Sequence, residues 1–115
     1  MEQTISSILS QKNVMVLDIR TNVEFCSGHI CGAVHVPTPL PPLSQHQLRT
    51  LHDELQEIVQ QNRTKTFVVY CKKGIRAGYA VNLLKEIGVD AISLGGVLNP
   101  KLRDYLMENV CYCSI

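Results

Sequence analysis

The sequence predicts an α/β domain: a mainly parallel sheet with helices on both faces. Three observations lead there. Val14-Met15-Val16-Leu17 and Thr66-Phe67-Val68-Val69-Tyr70 are apolar runs without polar alternation, the pattern of strands buried on both sides. Segments with helical spacing separate such runs along the whole chain. Caps, glycines and prolines stand where one kind of segment must give way to the next.

The elements follow in order. Ile5, Ile8 and Leu9 share one helical face and open the domain with a short helix. Val14 to Leu17 is the first strand, with Asp18, Ile19 and Arg20 at its carboxyl end. Thr21 and Glu24 have capping-box spacing, which starts a short helix through Phe25 that Gly28 stops. Ala33-Val34-His35-Val36 is a second strand. Pro37, Pro39, Pro41 and Pro42 make the next stretch a stiff loop without regular structure. Ser44 and Gln47 repeat the capping logic, and Leu48, Leu51, Leu55, Ile58 and Val59 form a buried stripe up to about Gln61. After the strand at 66–70, Ala77 to Ile87 reads as a helix with Ala77, Ala80, Val81 and Leu84 on one face and Gly88 as its stop. Val89 to Ser93 is the last strand and Gly95-Gly96 a turn. Asn99-Pro100 starts the final helix, an N-cap followed by proline, with Leu102 and Leu106 facing inward and Tyr105 as a further candidate.

A chain of 115 residues suits one domain with one core, so residues 1–115 are read as a single unit. Hydrophobic residues make up 45% and charged residues 18%, the range of globular proteins. The net charge of +1 implies no general attraction to polyanions, and nucleic acid as a partner is not expected. No apolar run approaches the ~20 residues of a membrane-spanning helix, so no membrane partner is expected either. Met1-Glu2-Gln3-Thr4 lacks the basic start and apolar stretch of an export signal. The five cysteines, Cys26, Cys31, Cys71, Cys111 and Cys113, are odd in number. Together these features predict reduced thiols and a cytoplasmic location.

The chemistry concentrates in Cys71-Lys72-Lys73-Gly74-Ile75-Arg76. A cysteine between a buried strand and a helix sits where backbone N–H groups converge, a setting that favours the thiolate, the reactive form of sulfur. Three cationic side chains and no acid lie in these six residues. Gly74 allows a tight turn toward the sulfur. Asp18 and Cys71 both fall at carboxyl ends of strands, where sites form in open α/β sheets.

Two separated blocks resemble the rhodanese (sulfurtransferase) domain family. The first runs through Asp18-Ile19-Arg20, Glu24-Phe25, Gly28-His29-Ile30-Cys31-Gly32-Ala33 and Val36-Pro37. The second is Val68-Val69-Tyr70-Cys71-Lys72-Lys73-Gly74-Ile75-Arg76-Ala77, and Gly95-Gly96 fits a weaker family signal. The resemblance implies a rhodanese-like fold with a central, mainly parallel five-stranded sheet. It also implies thiosulfate sulfurtransferase activity: Cys71 as the catalytic residue carrying a persulfide, and Lys72, Lys73, Gly74, Ile75 and Arg76 as the loop that cradles it. A small anionic sulfur donor and a thiol or protein sulfur acceptor would be the partners, with no cofactor and no metal. Basic residues at the positions of Lys72 and Lys73 go with thiosulfate preference in the family.

Neighbouring chemistries are separated by spacing. Related phosphatases and arsenate reductases place five residues between cysteine and arginine and a histidine before the cysteine, whereas this chain has four residues between Cys71 and Arg76, and Tyr70 before. A weakly catalytic, protein-binding rhodanese-like module is the nearer rival. Asp18, Arg20, Glu24 and His29 are read as structural support: Asp18 and Arg20 hold the first block against the active loop, Glu24 caps its helix, and His29 is a hydrogen-bonded turn residue. Arg76 has Glu24 or Asp18 as candidate partners. Cys26, Cys31, Cys111 and Cys113 lack the two-residue knuckle spacing of zinc sites. Cys111 and Cys113 lie in a tail expected to fray, as incidental thiols or as a sulfur relay from Cys71.

Overall fold

The computed structural model describes residues 4–113. Met1 to Gln3, on which the reading of the N-terminal start rests, and Ser114-Ile115 lie outside the described residues. The elements run α1 (Ile5–Leu9), β1 (Val14–Asp18), α2 (Asn22–Cys26), β2 (His29–Ile30), β3 (Val34–His35), α3 (Gln45–Gln60), β4 (Thr66–Cys71), α4 (Ile75–Ile87), β5 (Ala91–Gly96), α5 (Pro100–Glu108) and β6 (Val110–Cys111).

The central sheet is parallel, in the order β3-β1-β4-β5. Its strands alternate between two packed faces, as the period of a strand requires. Met15, Leu17, Phe67, Val69 and Cys71 point toward α3 and α4, where Leu51, Leu55, Val59, Ala77, Ala80 and Leu84 meet them. Val16 and Tyr70 point the other way, toward Leu102 of α5 with Ile5, Leu9, Tyr105 and Leu106 around it. The α3 stripe explains why this polar-rich helix is stable in place. Each fully buried leucine or valine contributes roughly 1.5–3 kcal/mol, more than any helix propensity in the segment.

The α/β fold with helices on both faces is the one the sequence predicts. Among the described residues the central sheet holds four strands, where five were expected. The remaining extended segments, β2 and β6, pair with each other as a separate antiparallel ladder, His29 opposite Cys111 and Ile30 opposite Val110. Both are two residues long, too short to show as apolar runs.

Gly95-Gly96 is also placed differently. The pair does not form a free turn but ends β5, beside Tyr70 and Cys71 of β4. Gly95, at φ +79, lets the strand slip register, so that Val69 faces Ser93 while Tyr70 faces Gly95. The slip carries the backbone of β5 under the loop that follows β4.

The largest correction concerns the cysteines. Cys26 is disulfide-bonded to Cys113, and Cys31 to Cys111, which leaves Cys71 as the free thiol. The bridges overturn the expectation of a reduced set, and through Cys113 the described part of the tail is tied to the segment around β2. Pairing β6 with β2 brings the two cysteines of the tail against the two that flank β2, 80 and 87 residues away in the chain. The four thiols do converge, but pairwise. Among the described residues no group of side chains has the makings of a metal site, and no helix is long and apolar enough to cross a membrane.

Candidate active site

Cys71 ends the central strand β4, and Lys72, Lys73 and Gly74 turn the chain into α4. The turn works because Gly74 takes φ +107 at the N-cap position, a conformation L side chains resist. This aims two backbone amides at the sulfur. The N–H of Gly74 donates to Cys71 Sγ over 3.0 Å and that of Ala77 over 3.3 Å. Both amides reach the sulfur from the N-terminal end of α4. The residue itself is 1% exposed, yet it lines a cleft of about 410 Å³ with Leu40, Pro41, Lys72, Lys73, Ile75 and Arg76.

The loop is held from below. Val97 N–H donates to the Cys71 carbonyl (2.9 Å) and Leu98 N–H to that of Lys72 (3.1 Å). Gly96 lies so close that a Cβ there would run into the Lys72 carbonyl and the Lys73 backbone. The glycine pair at the end of β5 is therefore a contact surface for the active loop.

Lys72 and Lys73 are exposed at the rim of the cleft. Arg76, in contrast, is 3% exposed and committed to another carboxylate. Its Nη1 donates to Glu24 Oε1 (2.8 Å), its Nη2 to Glu24 Oε2 (3.2 Å), and Nη1 also to the Thr38 carbonyl (3.3 Å). Of the two partners predicted for Arg76, Glu24 is the one it meets. Glu24 simultaneously completes the capping box of α2 with Thr21. The hydrogen bond from Arg76, with those from Thr21, outweighs burial and holds the Glu24 carboxyl at about 2. Arg76 thus ties the start of α4 to α2 through the ion pair and to the proline loop through the Thr38 carbonyl.

Asp18 and Arg20 form a second buried pair. Arg20 Nη2 donates to Asp18 Oδ2 (2.8 Å) and to the Gly28 carbonyl (2.7 Å), while its Nε and backbone N–H donate to Asp18 Oδ1 (3.1 and 3.0 Å). Burial works against the Arg20 charge, but the bond and attraction to Asp18 win and raise its pKa further. The guanidinium carbon lies 5.5 Å from the centre of the Tyr70 ring. Burial foremost, then Asp18, pushes the Tyr70 phenol up, and its oxygen accepts from Ile30 N–H over 3.0 Å. His29 Nδ1 is 3.0 Å from the Phe25 carbonyl, and its ring stacks on Phe25. Neither Asp18, Arg20 nor His29 lines the cleft.

Leu40, Pro41 and Thr38 were not legible as site residues. They sit in a loop with no periodicity, and only its path across the carboxyl ends of the strands brings it over Cys71. The four prolines were the available signal, since a loop that stiff can serve as a wall.

The description "Rhodanese-like domain" matches residues 2–99. The chain belongs to the rhodanese-like domain family. Solved rhodanese-like structures share its fold: a rhodanese with anions from E. coli (TM-score 0.58, 23% identity, 75% of this chain and 89% of that one) and a rhodanese-related protein from Thermoplasma volcanium (TM-score 0.61, 22% identity, 96% and 98%). Among curated proteins, the tRNA uridine(34) hydroxylase of Buchnera aphidicola is 26% identical over 110 residues, 92% of this chain and 32% of that protein. An uncharacterized protein of Synechocystis is 31% identical over 90 residues, 78% of this chain and 43% of its own length. The rhodanese-like domain described here thus spans about a third to under half of the length of these relatives.

Proposed function

We propose that this rhodanese-like domain is a sulfurtransferase that moves a sulfane sulfur from thiosulfate or a similar anionic donor to a thiol or cyanide. The observation that carries the reading is the pair of amide hydrogen bonds to Cys71 Sγ at the floor of a cleft rimmed by Lys72 and Lys73. The Cys71 thiolate attacks the outer sulfur of thiosulfate. A new S–S bond forms, the donor S–S bond breaks, and its electron pair leaves with sulfite. The persulfide keeps its negative charge on the terminal sulfur, facing the two lysines. Cyanide or a thiolate then attacks that sulfur and frees the Cys71 thiolate. No metal or cofactor takes part, and the reading takes residues 1–115 as one domain. Donor and acceptor, rather than nucleic acid or membrane, are its partners.

In this reading Cys71 is the nucleophile and Gly74 shapes the amide cradle. Ile75 forms part of the wall, and Lys72 and Lys73 hold the donor anion. Glu24 and Arg76 position the loop, and Asp18, Arg20 and His29 support the segment behind it. The test is intact mass after incubation with thiosulfate, followed by a thiocyanate assay with cyanide. One added sulfur, lost with cyanide and absent in Cys71→Ser, is the expected result. No sulfur uptake and no thiocyanate would sink it. Phosphate release from an aryl phosphate would then favour a phosphatase, and inactivity in both assays a protein-binding module.

The relatives named tRNA uridine(34) hydroxylase favour a second reading, in which the domain serves hydroxylation of a tRNA uridine as part of a longer protein. Hydroxylated uridine in tRNA from cells expressing the chain, absent with Cys71→Ser, would select it. As to location, a cytoplasmic site goes with reduced thiols. The two bridges favour an oxidising compartment instead. Thiol labelling in freshly lysed cells separates the two.

A further inference from the structure

The two bridges are attached where the fold has least packing of its own. Cys26 is the last residue of α2, a helix of five residues with none of them buried. An isolated helix needs roughly 12–15 residues to be even marginal in water, so α2 does not hold itself. Cys31 follows β2, whose ladder with β6 has two residue pairs, extended by one bond from Cys31 N–H to the Asn109 carbonyl (2.8 Å). Val110 and Tyr112 lie over Gly28, close enough that a Cβ there would meet them at 3.2 and 3.4 Å. A two-stranded ladder this short has little stability alone. The covalent bonds supply the fixity that burial does not.

The same corner carries the anchor of the cleft. Glu24, two residues before Cys26, holds Arg76 with both carboxylate oxygens. Arg76 also donates to the Thr38 carbonyl, and the loop runs on from Thr38 to Leu40 and Pro41, which wall the cleft over Cys71. A chain of contacts thus leads from the Cys26–Cys113 bridge through Glu24 and Arg76 to the wall above the sulfur. With that wall in place Cys71 is 1% exposed. Cys26 and Cys31 are exposed, whereas Cys111 and Cys113 are half-buried. A thiol from solvent therefore reaches each bridge on the side of α2 and β2.

We propose that the two bridges are a redox switch on access to Cys71. Closed, they fix α2, and Glu24 keeps Arg76 and the proline loop in place. Opened by a dithiol reductant, they release α2 and β6, Glu24 comes off Arg76, and the wall over the sulfur loosens. In the opening step a reductant thiolate attacks the exposed Cys26 or Cys31 sulfur. A mixed disulfide forms, and Cys113 or Cys111 leaves as the thiolate. The second reductant thiolate attacks its own sulfur in the mixed disulfide, which frees Cys26 or Cys31 and closes the reductant's disulfide. Two electrons pass per bridge, and the two thiol protons of the reductant end on the two cysteines. The switch governs how Cys71 is reached, whatever group Cys71 takes up, and so goes beyond the sulfurtransferase reading.

The experiment follows alkylation of Cys71 by intact mass with N-methylmaleimide and N-(1-pyrenyl)maleimide, a small and a bulky probe of one chemistry. The ratio of the bulky to the small rate constant reports access, because the thiolate fraction enters both rates and cancels. Cys71 is the reporting thiol in the bridged protein and in the variant with Cys26→Ser, Cys31→Ser, Cys111→Ser and Cys113→Ser. Removing the bridges should raise the ratio about fivefold or more, as local opening becomes easier. Glu24→Ala with the bridges intact should raise it similarly, and adding it to the bridge-free variant should change little further. Hydrogen exchange should show α2 and β6 losing protection without the bridges while β1 and β4 keep theirs. In the wild type, graded mixtures of reduced and oxidised dithiothreitol should raise the ratio, read on the Cys71 peptide, as the bridges open. A ratio unchanged without the bridges overturns the switch, and so does a ratio unmoved by Glu24→Ala. Protection lost in β1 and β4 as well makes the bridges a support of the whole domain and overturns it too. Neither readout uses sulfur transfer, so failure of the switch and failure of the sulfurtransferase reading are separate results.

Discussion

Arg76 and Glu24 are 52 residues apart in the chain, yet their ion pair decides how the active loop is held. Glu24 shows how a single side chain can have two jobs: one oxygen caps α2 through the Thr21 N–H, and both face Arg76. The sign of its pH dependence follows. Its carboxyl sits at about 2 in the folded protein, below the ~4.3 of an unfolded chain. The stability it contributes is therefore present above the unfolded value and is lost as pH falls through the folded one. Thermal unfolding measured from pH 6 down to 2 should show Tm falling below about pH 5. Glu24→Gln should flatten part of that fall and cost about 2 kcal/mol at neutral pH, the scale of hydrogen bonds to a charged group. An acid limb identical in wild type and variant would refute this role. Lys72 and Lys73 act differently, through charge exposed to solvent. On the proposed sulfurtransferase reading, replacing both by alanine should raise KM for thiosulfate about tenfold and weaken its salt dependence, while Cys71 still accepts sulfur at high donor concentration. Steady-state kinetics at two ionic strengths checks it.

The elements around the loop differ in how much they tolerate. The end of β5 is where a methyl group matters most, because Gly96 touches the Lys72 and Lys73 backbone. Gly96→Ala should displace the loop and cost about 1–3 kcal/mol, the range for overpacking, and on the proposed reading it should lower sulfur transfer through Cys71 at least tenfold. Gly78, inside α4, is the contrast. Its Cβ would meet nothing within 4 Å and its φ is ordinary, so Gly78→Ala should stabilise by about 0.5–1 kcal/mol. Chemical denaturation of the two variants should move in opposite directions. If both destabilise alike, crowding at Gly96 is not the cause. Element type was legible where a pattern ran long enough: the α3 stripe, the β4 run and the capping boxes of α2 and α3 are all where the sequence places them. The ends were less so. β5 runs on through the glycines because its neighbour is β4, and no local preference of Gly95-Gly96 announces that.

For the molecule as a whole, the two bridges join the segment around β2 to the C-terminal end, across loops of 80 and 87 residues. Such loops lose much entropy on closure, so reduction should lower unfolding free energy by about 2–4 kcal/mol, the second bridge adding little beside the first. Urea titrations with and without a phosphine reductant measure it. Alkylation of the native, unreduced protein should label one thiol, Cys71, and five after reduction and unfolding. Five labelled at once would remove the bridges. The sequence by itself determined the parallel α/β class, the place of Cys71 at a strand-to-helix turn and the cationic loop after it. These are local properties, written in the apolar period, in cap residues and in neighbours within six positions. The tertiary structure alone decided that Arg76 meets Glu24, that the proline loop walls the cleft, that Gly96 supports the active turn, and that four cysteines pair. Each of these depends on segments brought together by burying the two faces of the sheet, and such contacts leave no periodic trace along the chain.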